Sequence, residues 1–230
     1  MRVTTANIKC NPQMRQAFVD SDIRHVRNIP GIIMGQEIEI PRYKVAWQRL
    51  MRGKGKTTRG IAQECPISIP TKNWTLIGDV EIRLMHHGKK HTSPNRYVTV
   101  QKAQRKSDGL KVAFMNTHMV SGAFTSKFKL NKAWRKQRWW EHWRAMVKWI
   151  AELISEGWTV ILGGDFNKTN LPDIYGQIEL AHHGLDHLLL IPADGIVVGH
   201  VQVSSLTAKN GMHTDHPILS ARFPITRHRL

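Results

Sequence analysis

Cysteine, acidic side chains and long apolar runs are all scarce in this chain. Cys10 and Cys65 are the two cysteines in 230 residues, too few and too scattered for a disulfide framework or a cysteine-based zinc cluster. A reducing compartment is the expected setting. No apolar segment reaches the roughly 18 residues that a membrane-spanning helix needs, and Met1–Asn7 holds no apolar stretch of secretory length. These absences lead to the expectation of an intracellular, cytoplasmic protein. Low-complexity tracts, internal repeats and linker-like shifts in composition are missing too, so one domain is expected over 1–230. The shortage of acid is the most informative: 34 basic against 17 acidic residues leave a net charge of +17. Such a field gathers polyanions, nucleic acid above all, and repels cationic partners.

The chain is nonetheless 41% hydrophobic and able to bury a substantial core. Val3–Ile8 reads as an opening strand. Asn11-Pro12 then looks like a helix start, with Met14, Phe18, Val19, Ile23 and Val26 on one side as far as Arg27, and Ile32-Ile33-Met34 follows as a buried strand. Strand, helix, strand at that spacing is a crossover unit. Tyr43, Trp47, Leu50 and Met51 predict a second helix over 42–52. From 61 to 117 the pattern is β, with strands at 67–69, 76–84, 97–102 and 112–117. Basic loops fall at 52–59, 86–91 and 102–106, and another basic stretch runs over 127–138.

The longest helix is expected over 132–156, its wide apolar face carrying Trp139, Trp140, Trp143, Met146 and Ile150. Trp134 and Trp149 fall towards its polar side, where they are either covered by a loop or exposed for stacking. The stretch after Asn167 reads as loop until 185–191, and 196–198, 201–206 and 218–223 complete the strands. Strands outnumber helices, so two packed sheets with helices outside is the economical α/β (α+β) architecture.

Two segments carry chemistry: Gly163-Gly164-Asp165-Phe166-Asn167, behind the apolar run Val160-Ile161-Leu162, and Thr214-Asp215-His216-Pro217-Ile218. Each sets a carboxylate and a hydrogen-bonding partner beside an apolar run, where loops at a sheet edge converge on a substrate. Asn7 in Thr-Ala-Asn-Ile-Lys, Glu37 in Gly-Gln-Glu-Ile, His118 in Asn-Thr-His-Met and Asp186 in Gly-Leu-Asp-His complete an ordered series from residue 7 to 218. In that order the series resembles the endonuclease/exonuclease/phosphatase superfamily, the DNase I-like fold. Any one motif is weak, whereas six in order are specific. The resemblance implies a four-layered α/β sandwich, two mixed sheets flanked by helices.

Phosphodiester hydrolysis near neutral pH needs phosphoryl charge neutralised, a water held in line and help for the leaving oxygen. Hard Mg²⁺ needs one or two carboxylates, with Mn²⁺ able to substitute. Glu37 is the first candidate ligand and Asp215 a second. Asp165 is expected to orient or deprotonate the attacking water. Asn167, two residues on along an extended segment, would then reach a phosphoryl oxygen. His216 is expected at the scissile phosphate, as base or charged stabiliser, with Asp186 fixing its other ring nitrogen. His118 resembles the histidine that protonates the leaving group in the DNase I-like branch, and Asn116 is expected to brace its loop. Asn7 is expected to hold Glu37 or a phosphate, and Arg96 to clamp a phosphate. Lys9 matches the DNase I-like branch, where the abasic-site nucleases carry an acid. The doublets His86-His87 and His182-His183 do not make a zinc site, because neighbours on a strand face opposite ways and no cysteine supports them.

Fold alone does not name a substrate. The basic loops favour a nuclease with low sequence specificity, endo- or exonucleolytic, on DNA rather than RNA. The competing expectations are a phosphatase of phosphoinositides or nucleotides, and a non-catalytic basic nucleic-acid-binding protein on the same fold.

Overall fold

The structure, a computed structural model, describes residues 1–8, 15–38, 41–57, 65–125, 131–207 and 211–227. Its centre is a pair of six-stranded mixed sheets packed face to face. The first contains β1 (Arg2–Asn7), β2 (Ile32–Gln36), β3 (Lys56–Thr57), β4 (Ile67–Ile69), β12 (Gln202–Leu206) and β13 (Ile218–Arg222), in the order β12-β13-β1-β2-β4-β3. The second contains β5 (Trp74–His86), β6 (Arg96–Arg105), β7 (Lys111–His118), β8 (Thr159–Asp165), β9 (Ile178–His183) and β10 (Asp186–Ile191), in the order β5-β6-β7-β8-β10-β9. Helices α1 (Gln16–Asn28) and α2 (Pro41–Leu50) cover the first sheet, and α3 (Lys132–Ser155) covers the second. This is the four-layered sandwich expected from the sequence, and β1 and β2 pair in parallel as the crossover unit requires.

The central strands are apolar on both faces because both faces are covered. Ile161, Leu188 and Leu190 point between the sheets, against Ile32, Met34 and Leu219. Their neighbours Val160, Leu162, Leu189 and Ile191 point the other way, against Trp139, Trp143, Trp149 and Ile150 of α3. On the far side Ala6 and Ile33 pack under Val19, Ile23, Tyr43 and Trp47. Gly163 and Gly164 are imposed by this packing. A Cβ at Gly163 would lie 3.1 Å from the Met34 sulfur, and one at Gly164 would lie 2.0 Å from the Thr117 carbonyl oxygen.

The structure corrects several expectations. Among the described residues α1 begins at Gln16, and the start read at Asn11-Pro12 lies outside them. Phe18 is 40% exposed and stacks on the His213 ring rather than entering the core. The stretch read as loop before 185 contains β9, which pairs along β10 with a bulge between Leu188 and Leu189. β11 (Ile196–Val198) leaves the main sheets and pairs with β14 (Ile225–Arg227), a strand the sequence did not suggest. Trp149 is buried and Trp140 is 37% exposed, the reverse of their expected faces. Arg83 covers Trp149, its guanidinium 3.9 Å from the ring centroid. Residues 102–105, read as loop, continue β6.

Candidate active site

Strand register gathers the predicted residues at one rim. In the second sheet His118 is paired with Asp165, and Asp165 with Asp186, across three neighbouring strands. In the first sheet Asn7 is paired with Gln36, so Glu37 follows directly beyond it, and His216 precedes β13 by two residues. The two sheets therefore deliver their chemistry to one edge, a consequence of parallel β1/β2 and parallel β7/β8.

Asn7 joins the sheets: its Nδ2 donates to Glu37 Oε1 at 3.2 Å and to Asp165 Oδ2 at 3.0 Å. His118 Nε2 lies 3.6 Å from Asp165 Oδ2 and 3.9 Å from Glu37 Oε1. His216 Nδ1 donates to Asp186 Oδ2 at 2.7 Å, while its Nε2 faces Asp165 Oδ2 at 4.0 Å and Asp215 Oδ1 at 3.9 Å. Asp215 is 55% exposed and stands at the outer margin of the group. Glu37 adopts φ +59°, a left-handed backbone that costs a non-glycine residue about 1 kcal/mol or more. Asn116, expected to brace the loop at His118, instead braces the strand beneath Glu37. Asn116 Nδ2 donates to the carbonyls of Gly35 and Pro66 at 2.8 and 3.0 Å, and Gln36 Nε2 donates to Asn116 Oδ1 at 2.6 Å.

Two residues are placed differently from expectation. Asn167 has φ +53°, so the extended geometry assumed between it and Asp165 does not hold. Its backbone N–H donates to Asp165 Oδ1 at 2.8 Å and its amide to the Met119 carbonyl at 3.0 Å, which makes it a brace for Asp165. Arg96 is buried behind His118 rather than presented at the rim, and its guanidinium donates to His118 Nδ1 at 2.9 Å. A guanidinium cannot accept, so Nδ1 is bare and the ring proton sits on Nε2, facing the carboxylates. Lys9 lies outside the described residues.

Burial sets the protonation of the group. Asp165 is pushed up to about 7 by loss of water, with Asp186 and Glu37 adding repulsion, although His216 and the Asn167 N–H oppose the rise. Asp186 is raised by burial as well, against the pull of His216. Burial depresses His216, but the hydrogen bond and charge of Asp186, with Asp165 and Asp215, outweigh it and carry the ring up to about 9. His118 is held well below the ordinary histidine value by burial and by Arg96, so it is neutral.

Sequence reading missed the residues that hold this rim in place. Asp22 of α1 is fully buried and accepts the backbone N–H groups of His213 and Thr214, each at 2.9 Å, and His213 Nδ1 at 3.0 Å. Thr214 in turn donates to the Asn7 carbonyl at 2.8 Å and accepts the His216 N–H at 3.2 Å. The signal was present: Asp22 is a carboxylate inside the apolar stripe Val19, Ile23, Val26. On α3, Arg135 donates to the carbonyls of Ser121 and Thr92 at 2.7 and 2.9 Å, and the Trp139 indole donates to the Phe166 carbonyl at 2.7 Å. His142 Nε2 lies 2.9 Å from the Thr117 hydroxyl. One helix face thus pins the segments after β5, β7 and β8.

The residues present fit a divalent cation. Ligand atoms of Glu37, Asp165 and His216 lie within 4.8 Å of one another, and Asn7 Oδ1 and Asp186 Oδ1 are buried oxygens with no hydrogen-bond partner. Carboxylate and amide oxygens are the donors that Mg²⁺ prefers. A ring held cationic by Asp186 has no lone pair to give, so Glu37 is the better ligand and His216 stands beside it.

No family model matches the chain, and no curated protein matches it in sequence. Solved structures do. D. rerio TDP2, complexed with single strand DNA product, superposes with a TM-score of 0.70 at 15% identity, over 97% of this chain and 98% of that one. The mannosyl-6-phosphatase of Bacteroides thetaiotaomicron gives 0.69 at 12% identity, over 97% and 99%. An endonuclease/exonuclease/phosphatase family protein from the same organism gives 0.67 at 12% identity, over 100% and 98%. With two mixed sheets, outer helices and this agreement along the whole chain, the protein has the endonuclease/exonuclease/phosphatase fold, the DNase I-like sandwich.

Proposed function

We propose that this protein is a Mg²⁺-dependent phosphodiesterase that cuts nucleic acid, DNA in preference to RNA, with little base specificity. The observation that supports it most is the gathering of Asn7, Glu37, His118, Asp165, Asp186 and His216 at one rim with basic loops around it. Lys89, Lys90 and His91 are exposed in the β5–β6 loop ahead of Arg96, around a shallow open depression. Lys132 and Lys136 of α3 and Lys168 after Asn167 add charge on the same side. A polyphosphate chain needs many such contacts, and a small monoester needs few. The fold is compatible with that substrate, since the D. rerio protein holds a single strand DNA product.

Glu37 would hold the cation, with Asp215 beside His216 as a second candidate, and when bound the ion would supply neutralisation of phosphoryl charge. Asp165, aligned by Asn7 and the Asn167 N–H, orients the attacking water and takes its proton. His216, backed by Asp186, presents positive charge to the phosphoryl oxygens as the transition state forms. His118, whose proton is directed to Nε2 by Arg96, donates a hydrogen bond at the same group. Asn7 at the end of β1 is a candidate phosphate contact, and Lys9 is retained as one from the sequence alone.

The test is a substrate panel. Purified protein with Mg²⁺ should degrade duplex or single-stranded DNA, stop on adding EDTA, and lose activity steeply as salt rises. Salt-insensitive turnover of a sugar phosphate or inositol phosphate, with DNA untouched, would replace this reading by a phosphatase. Cleavage that persists in EDTA would remove the metal from it.

A further inference from the structure

Not all of the basic surface belongs to the active-site rim. The 52–54 segment and the end of β6 lie at the opposite rim, where β1 starts and β4 ends. There Arg2, Lys54, Lys72, Arg105 and Lys106 line a cavity of about 850 Å³ that contains no acidic residue. Arg105 is paired with Asp108, and Lys54 donates to the backbone carbonyls of Arg27 and Ile29. Arg2, Lys72 and Lys106 have no ion-pair partner among the described residues, and Lys72 and Lys106 are exposed.

The charges here work against the fold. Arg2 on β1 sits directly opposite Arg222 on β13, and like charges in that position repel across a sheet. Lys54 has its affinity for a proton lowered by burial and by Arg27. Clustered cations without counter-charge, set around a concave surface, are a place where an anion relieves repulsion as it binds. The cavity floor is apolar, with Trp74 only 4% exposed beneath the cations. Separated cations spread around a depression of this size suit a chain of phosphates better than a bare inorganic ion.

We infer that the opposite rim is a second polynucleotide-binding site, at which Arg2, Lys72 and Lys106 hold backbone phosphates of a segment distant from the one being cut. The inference rests on the nucleic-acid reading of the active site but is read out by binding alone. β1 places the two rims about 17 Å apart at the usual rise per residue. Even at the compact duplex spacing of about 3.4 Å per phosphate, a strand of about 40 nucleotides reaches well beyond both rims.

The experiment measures fluorescence anisotropy of labelled single-stranded DNA of about 40 nucleotides with the full chain in EDTA. Lys72→Glu/Lys106→Glu should weaken binding of the long strand about tenfold at low salt and reduce the slope of log affinity against log salt by about 1.4, two contacts at about 0.7 each. Arg144→Glu/Lys148→Glu, an equal reversal on the exposed face of α3, should change it less than about threefold. Equal weakening by both pairs would reduce the cavity to a share of the general field and overturn the site. So would an unchanged long-strand affinity in Lys72→Glu/Lys106→Glu, or displacement of the long strand by inorganic phosphate at the concentration of its own phosphates. Turnover of bis(4-nitrophenyl) phosphate with Mg²⁺ should be equal in wild type and Lys72→Glu/Lys106→Glu. If the wild type cuts nothing, the proposed activity fails while the binding result still decides the second site.

Discussion

Asp22→Asn is the sharpest test of how the rim is assembled, because Asp22 touches no reacting atom. Its two oxygens accept Thr214 N–H, His213 N–H and His213 Nδ1 at 2.9–3.0 Å. Asparagine keeps the shape but has one accepting oxygen, and its NH₂ then faces an N–H. A donor against a donor in a fully buried position forfeits a hydrogen bond to a charged group and leaves a buried N–H unsatisfied, about 3 kcal/mol together. For a chain of this size each kcal/mol moves the melting midpoint by about 2–4 °C, so a fall of about 6–12 °C is expected by calorimetry. Thr214 also anchors the Asn7 carbonyl and the His216 N–H, so the displacement passes to the candidate site groups of both sheets. A shift of the order of 1 Å there costs about a hundredfold in kcat on a DNA substrate, with a smaller change in KM. Asp22→Asn melting within about 2 °C of wild type, with unchanged kcat, would refute the account of the rim as held from α1.

The remaining predictions follow from the same geometry. Asp165→Asn or His216→Ala should lower kcat by several orders of magnitude while DNA binding in EDTA stays within a few-fold; equal loss of binding would mean that these groups hold substrate rather than act on it. Gly164→Ala places a Cβ 2.0 Å from the Thr117 carbonyl oxygen and should destabilise the fold by about 3 kcal/mol or more; a chemical-denaturation midpoint equal to wild type would show that β7 and β8 can separate. His142 is held neutral, well below the ordinary histidine value, by burial, His86 and Arg96. Its contribution is therefore complete above the unfolded value of about 6.5 and is lost as pH falls below it, about 1 kcal/mol over the first unit. His142→Gln, which can still bond Thr117, should flatten that part of the stability–pH curve, and an unchanged slope would place the acid sensitivity elsewhere.

The sandwich was legible because the strands at its centre are apolar on both faces and the helices on one, so Val160–Leu162 and Leu188–Ile191 declared themselves without a partner in view. β9 did not, since Glu179, His182 and His183 face water and only Leu180 and Ala181 are buried, a pattern too short for periodicity. The candidate site was legible as motifs at strand ends, because most of its residues border an apolar run. Its support was not. Arg135 and His142 lie in a tryptophan-rich stripe whose polar members look like ordinary helix surface until the loops that they hold are placed. Lys102–Lys106 looked like part of the same substrate groove as Lys89 and Lys90, and only the antiparallel course of β6 shows that they sit at opposite ends.

The partners that α3 grips on the rim are mostly main-chain: the carbonyls of Thr92, Ser121 and Phe166. A carbonyl is the same whichever side chain its residue carries, so those loops are fastened without regard to their own composition. Segments from a protein of different specificity can therefore be grafted between the fastening points, at 87–91 or 168–173, with the carboxylates of the candidate site left in register. The helix supplies a fixed jig, and substrate preference becomes a property that can be exchanged without rebuilding the core.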